Sequence, residues 1–307
     1  TDNNVDELGD IPFQTLMSIS ESPFKFGLIY VGTDDGHVWI THDGGGDWEQ
    51  IEREIPRKKF ISRIVASAHD EATVYMTQNG KRDDDFTAYV WKSTNYGTTW
   101  RSITNNIPLG PVNVIREDPK NENVLYVGTD ISVYVSINGG QSWQVLSSDL
   151  PSTFVHDLVI HPRDDIMVAA TEGRGMYAMD VRPIQRMTPE VMAKRVHLFD
   201  PEPVDLPQGG GFGGGQRPSA AVQYYLGAPG VVQILVKDAS GNIINDLEGS
   251  GDAGFNMAVW DLTRAGEPQG GGRGGFRRGP PLVRPGSYTV ELTVGSETVE
   301  GTIEVRR

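Results

Sequence analysis

Cysteine is absent from the 307 residues, so the chain has no disulfides and no thiolate chemistry, a condition compatible with oxidising and reducing compartments alike. Also absent is any run of about 18 apolar residues, which leaves no helix able to span a membrane. Positive charge is in short supply: 27 Lys and Arg stand against 41 Asp and Glu, a net charge of −14. That balance argues against nucleic acid or an anionic membrane as a general partner, and an acidic surface also serves solubility alone. The sequence opens Thr-Asp-Asn-Asn-Val, with neither Met nor a signal peptide, and is expected to be a processed product or a piece of something longer. Its length is enough for two domains and a sizeable core.

What the chain does have is a repeat, the first thing to look for at periods of 20–50 residues. Thr-His-Asp-Gly-Gly-Gly-Asp-Trp (41–48), Ser-Thr-Asn-Tyr-Gly-Thr-Thr-Trp (93–100) and Ser-Ile-Asn-Gly-Gly-Gln-Ser-Trp (136–143) share one pattern, [Ser/Thr]-x-[Asp/Asn]-x-Gly-x-[Ser/Thr/Asp]-Trp. Each reads as a turn. Asp43, Asn95 and Asn138 can accept backbone hydrogen bonds from two residues on. Gly45, Gly97 and Gly140 suit a positive φ. Trp48, Trp100 and Trp143 return apolar area to the sheet with an N–H to place. The octapeptide resembles the Asp-box, the signature of BNR-repeat β-propellers, and these nine residues serve the turn rather than chemistry.

Ahead of each octapeptide lies a β-rich run, a turn and a second run: 28–33 and 37–41, 73–77 and 88–93 around a polar loop at 78–86, 124–129 and 132–136. A fourth unit, 166–171 and 175–179, lacks the octapeptide. Another strand precedes each unit, at 13–20, 61–68, 112–118 and 155–161, and a short one follows each octapeptide. Four strands per unit is the content of a propeller blade, so 1–182 is expected to be four blades of a larger propeller. A linker follows at 183–221, with a short helix signal at 188–195 (Thr as N-cap, Pro at N1) and the glycine run 209–215. From 222 to 307, six short strands separated by turn signals predict an immunoglobulin-like sandwich, interrupted by a glycine-rich insertion at 265–281.

Further segments strengthen the likeness: Tyr-Val-Gly-Thr-Asp-Asp-Gly (30–36), Ile-Arg-Glu-Asp-Pro (115–119), Val-His-Asp-Leu-Val-Ile-His-Pro (155–162), Glu-Gly-Arg-Gly (172–175), Ala-Val-Trp-Asp (258–261) and Arg-Pro-Gly-Ser-Tyr (284–288). They resemble large secreted bacterial BNR-repeat proteins of the sortilin-like or glycosyl-hydrolase-like kind, which end in a small immunoglobulin-like domain. The resemblance implies a propeller longer than four blades, a secreted, extracellular or periplasmic setting with cell-surface association an option, and no settled activity. The Cys-rich module of eukaryotic sortilins is missing.

Catalytic readings find little purchase. A sialidase would need three convergent arginines, and Arg63, Arg116 and Arg174 fall on different units, but the Arg-Ile-Pro segment is replaced by Glu-Ile-Pro-Arg at 54–57. Two-carboxylate hydrolysis has no assignable pair. His156 and His161 point to opposite faces of a strand and are poor co-ligands. Asp83, Asp84 and Asp85 could take Ca²⁺ but lack the spacing of a dedicated loop; no cofactor is expected. The Arg-Gly-Gly-Phe-Arg-Arg segment (273–278) resembles a nucleic-acid element, yet a flexible insertion suits an acidic protein better. Trp39, Trp91, Tyr134 and Tyr177 sit on matching third strands and suit packing. In an up-and-down blade the second-to-third-strand turns and the inter-blade links share one rim, opposite the octapeptides. That rim carries Asp34, Asp35, Arg82, Asp83, Asp84, Asp85, Asp130, Glu172 and Arg174, and loops on a rigid scaffold are where binding sits. The expected function is a secreted or cell-surface, non-catalytic interaction module for protein or glycan, its ring completed by upstream blades or another chain. The alternatives are part of a sialidase-like hydrolase or lyase whose site needs the missing blades, or a structural subunit of an extracellular assembly.

Overall fold

The computed structural model describes residues 15–56, 59–146, 151–207, 218–265 and 281–307, and the described chain is all-β apart from short helical turns. Two compact units part between Thr188 and Pro189. The glycine runs expected at 209–215 and 273–278 lie outside the described residues.

The first unit holds four antiparallel sheets whose strands pair in chain order. The first is β1 (Leu16–Glu21), β2 (Ile29–Thr33), β3 (Val38–Thr41) and β4 (Glu49–Gln50). The second is β5 (Phe60–Ala66), β6 (Val74–Gly80), β7 (Asp85–Ser93) and β8 (Arg101–Ser102), and the third β9 (Val112–Glu117), β10 (Leu125–Thr129), β11 (Val133–Ser136) and β12 (Gln144–Val145). The fourth stops at three strands, β13 (Val155–His161), β14 (Ile166–Thr171) and β15 (Met176–Asp180), where no octapeptide turns the chain back. The polar loop expected at 78–86 is shorter in the structure: β6 and β7 extend until Gly80 pairs with Asp85, leaving one 3₁₀ turn between them.

First strands neighbour one another from sheet to sheet, β1 on β5, β5 on β9 and β9 on β13. Side chains cross-link them: the Ser18 and Ser20 hydroxyls accept the Ile64 and Ala66 N–H groups at 3.0 and 2.9 Å, and Ser62 Oγ donates to the Val112 carbonyl at 2.7 Å. Between the sheets lie three cores. Leu28, Tyr30, Val38 and Ile40 meet Ile61, Ile64, Val74 and Met76. Tyr75, Ala88 and Val90 meet Val112, Ile115, Leu125 and Val127. Val114, Tyr126 and Val133 meet Val155, Leu158, Met167 and Ala169. Strands covered on both faces carry near-continuous apolar runs for this reason.

The octapeptide turns close differently from the expected two-residue reach. The Thr41, Ser93 and Ser136 hydroxyls accept the N–H groups of Gly45, Gly97 and Gly140, and Asp43, Asn95 and Asn138 accept those of Asp47, Thr99 and Ser142, all four residues on. Two successive residues with positive φ, such as Tyr96 (57°) and Gly97 (83°), lengthen the loop beyond an Asx-turn.

Helix α1 (Arg182–Gln185) belongs to the first unit, because Asn121 Nδ2 donates to the Gln185 carbonyl at 2.9 Å and Gln185 Nε2 to Asp118 Oδ2 at 3.0 Å. Helix α2 (Pro189–Met192) opens the second unit. There the segment expected as linker is partly strand. A three-stranded sheet orders β16 (Val196–Leu198), β18 (Ala220–Leu226) and β21 (Gly254–Trp260). A five-stranded sheet orders β17 (Val204–Asp205), β23 (Glu297–Arg306), β22 (Gly286–Val294), β19 (Val232–Lys237) and β20 (Ile243–Leu247). Prolines 201, 203 and 207 hide β16 and β17 from a sequence reading. One core fills this unit, with fully buried Trp260 set edge-on to Tyr288 at 5.1 Å between ring centroids.

Candidate binding pocket

A cavity of about 370 Å³ opens where three sheets of the first unit bring strand ends together. Phe60, Ser62 and Arg63 come from β5, Asn79 from the end of β6, Lys81 and Arg82 from the 3₁₀ turn after it. Asn113 comes from β9, and Phe154 and His156 from the start of β13. The two buried amides are tied together: Asn79 Nδ2 donates to Asn113 Oδ1 at 2.9 Å, and Asn113 Nδ2 to Asp130 Oδ1 at 3.0 Å. The cations lie against the aromatics, Lys81 Nζ 5.4 Å from the Phe154 centroid and the Arg82 guanidinium 5.4 Å from that of Phe60. Such contacts attract a charge to the ring's quadrupole. None of the nine lining residues is a carboxylate, although the chain as a whole is strongly acidic.

Lys81 Nζ reaches Asp130 at 3.0 Å and Arg82 reaches Asp34 at 3.9 Å, both carboxylates outside the lining, and the His156 ring lies 3.9 Å from Glu172. Arg63 meets Asp157 at 3.0 Å, and Arg116 meets the other oxygen of the same carboxylate at 2.9 Å. Burial and the neighbouring Arg63 charge lower the Arg116 pKa from its ordinary value, against the opposing pull of Asp157. Among the described residues the buried Arg63 Nε has no hydrogen-bond partner.

The rim residues expected from the sequence divide into two groups. Arg82 lines the pocket, Asp34 and Asp130 pair with its cations, and Glu172 lies beside its histidine. The turns that carry them sit beside the links into their own sheets: Asp34 N donates to the Thr15 carbonyl, Asp130 N to Pro111 and Glu172 N to Phe154. The others look elsewhere. Asp35 accepts from the Thr33 hydroxyl. Asp83 and Asp85 share Lys59, at 3.4 and 3.2 Å. Asp85 also takes the Thr87 N–H and the Tyr89 hydroxyl, which hold its pKa below the usual carboxylate range. Asp84 closes the turn with φ 56°, and exposed Arg174 does not line the cavity. Among the described residues no cluster of three or more His, Asp and Glu groups is placed to hold a metal ion, so Asp83, Asp84 and Asp85 do not converge as a Ca²⁺ site. Of the three arginines weighed for a sialidase, Arg63 and Arg116 meet on one aspartate, and of the three only Arg63 lines the pocket.

Phe60, Lys81 and Phe154 escaped sequence reasoning, and His156 was weighed only as a metal ligand. Which strand ends meet is a long-range fact. Of the third-strand aromatics, Tyr134 is buried in the core between the second and third sheets, and half-buried Trp91 packs on the core between the first and second and donates Nε1 to Gln78 Oε1 at 3.0 Å; Trp39 and Tyr177 are half-buried and join none of these cores.

No family profile matches the chain. Over 141 residues it is 26% identical to a sortilin from Danio rerio, a match that takes in 44% of this chain and 16% of that protein. Among solved structures, an ancestral GH74 enzyme superposes with a TM-score of 0.46 at 20% identity, over 78% of this chain and 33% of its own. A GH74 xyloglucanase from Xanthomonas campestris gives 0.43 at 15%, over 80% and 38%. YCF48 bound to D1 peptide gives 0.40 at 14%, over 78% and 71%.

Proposed function

We propose that this chain is a non-catalytic interaction module that takes an anionic group of a protein or glycan ligand into the pocket between Phe60 and Phe154. The observation that carries the reading is the lining itself: Arg63, Lys81, Arg82 and His156 with two aromatics, two buried amides and no carboxylate. In this reading the four sheets are blades of a larger Asp-box propeller, the second unit is an immunoglobulin-like sandwich, and the protein works at the cell surface or beyond it. The partial match to a sortilin supports the propeller class. Glycoside hydrolysis by two carboxylates would need a facing pair some ~5–9.5 Å apart, and the pocket offers none.

The test is calorimetric titration of the chain with acidic peptides and with uronate or sulfated oligosaccharides, beside neutral counterparts. Acidic members of one panel bind, more weakly at high salt, and the double variant Lys81→Glu, Arg82→Glu loses roughly tenfold or more in affinity. Equal binding of neutral and acidic ligands, unchanged affinity in the double variant, or turnover of the oligosaccharides overturns the reading.

A further inference from the structure

One interlock recurs between sheets of the first unit. Trp100 Nε1 donates to the Ile51 carbonyl at 2.9 Å, and Trp143 Nε1 donates to the Ile103 carbonyl at 2.8 Å. In both pairs the acceptor stands three residues after the tryptophan of the preceding octapeptide. The same isoleucine seats its side chain against the next octapeptide's glycine. A Cβ on Gly97 would lie 2.3 Å from Ile51 Cδ1, and one on Gly140 would lie 2.9 Å from Ile103 Cδ1. Each sheet thus presents an aliphatic side chain and its carbonyl, and the next receives them with a glycine and a tryptophan.

Among the described residues nothing fills the receiving half on the first sheet. The described heavy atoms nearest a Cβ on Gly45 belong to Trp48 of the same turn, at 3.7–4.0 Å. Trp48 is 42% exposed where Trp143 is 3%, and among the described residues its indole N–H has no acceptor. The strands agree. Register aligns Ile19–Val31–Trp39 with Ile64–Met76–Trp91, Ile115–Val127–Tyr134 and Leu158–Ala169–Tyr177. Each of the last three rows faces the preceding sheet. Ile61, Ile64, Val112, Ile115, Val155 and Leu158 are 0–1% exposed, whereas the first sheet's counterparts Leu16 and Ile19 are 65% and 69%. A strand side that is apolar by pattern yet open to water is a contact surface.

We infer that this face seats a further four-stranded sheet of the same repeat type, carried by the same polypeptide ahead of these sheets. That sheet ends in its own octapeptide, lays an aliphatic side chain over Gly45 and gives that residue's carbonyl to Trp48 Nε1. The inference rests on the larger-propeller reading and adds its docking chemistry. Continuity with the interlocks at Trp100 and Trp143 specifies the occupant. A second copy fits poorly, because its fourth sheet has three strands and no octapeptide to present the isoleucine, and its inner sheets are already covered.

The test compares the full-length polypeptide, as its cell makes it, with the 307-residue chain. Both are labelled with fluorotryptophan and with methyl-labelled Ile and Leu, and exposed to a soluble paramagnet. Trp48, assigned with Trp48→Phe, is broadened in the 307-residue chain and protected in the full-length polypeptide to the level of Trp143. The Leu16 and Ile19 methyls become protected with it. Trp48→Phe lowers the melting temperature of the full-length polypeptide by several degrees and leaves the shorter chain unchanged, while Trp143→Phe lowers both. Protection of Leu16 and Ile19 with Trp48 still open would leave the larger propeller standing and remove the interlock. No change at any of the three would remove both.

Discussion

Asp43, Asn95 and Asn138 hold the same place in three turns, and only Asp43 titrates. Its pKa lies below the ordinary carboxylate value because the Thr41 hydroxyl, then the Asp47 and Gly46 N–H groups, bond the charged form. A depressed native pKa contributes stability that is present above the unfolded value, about 3.9, and is lost as pH falls through the native one. Exchange protection of the Gly46 and Asp47 amides is therefore expected to fall in the native protein only in acid below the ordinary carboxylate range. In Asp43→Asn it stays level, since a carboxamide oxygen accepts the same bonds without titrating. Equal acid loss in the variant would refute this. The residue types of these turns were legible in sequence because their bonds span four residues at most. The destination of the tryptophan N–H groups was not, since Ile51 and Ile103 lie on neighbouring sheets.

Between elements, the second strands of the first three sheets each carry a buried tyrosine, Tyr30, Tyr75 and Tyr126, with different fates. Tyr75 donates to Glu117 of the next sheet at 2.9 Å, where that carboxylate also takes the Ser67 hydroxyl at 2.8 Å and the Ala68 N–H at 2.6 Å. Burial, then the Glu117 charge, pushes the Tyr75 pKa far up, so the phenol remains a donor at any working pH. The Tyr30 hydroxyl is buried without a hydrogen-bond partner among the described residues. Removing one donor from a buried carboxylate costs about 1–3 kcal/mol, whereas removing an unpartnered hydroxyl costs little or stabilises. Urea unfolding should therefore show Tyr75→Phe destabilised by that amount and Tyr30→Phe level with the native protein or above it. The reverse order would discredit the assignment. Element edges in the first unit were readable from alternation and turn residues. β16 and β17 were not, because short strands among prolines are recruited by the longer strands beside them; β17 pairs parallel with Val305 and Arg306 at the far end of the chain.

At the scale of the molecule, each unit has a core of its own, which permits each to melt by itself. Trp260→Ala removes the largest buried side chain of the second unit, at a cost of about 3–5 kcal/mol. Scanning calorimetry should resolve two transitions and move only one of them in this variant. A single transition shifting as a whole would contradict the division. The repeat also shows which levels a sequence settles alone. Three octapeptides determine the turns between third and fourth strands, because hydrogen bonds and φ angles inside one turn depend on near neighbours only. The pocket could not be read that way. Phe60, Arg63, Lys81, Arg82, Phe154 and His156 are spread over nearly a hundred residues, and their meeting follows from first strands packing side by side across three inter-sheet cores. That packing is long-range burial, which only the tertiary structure decides.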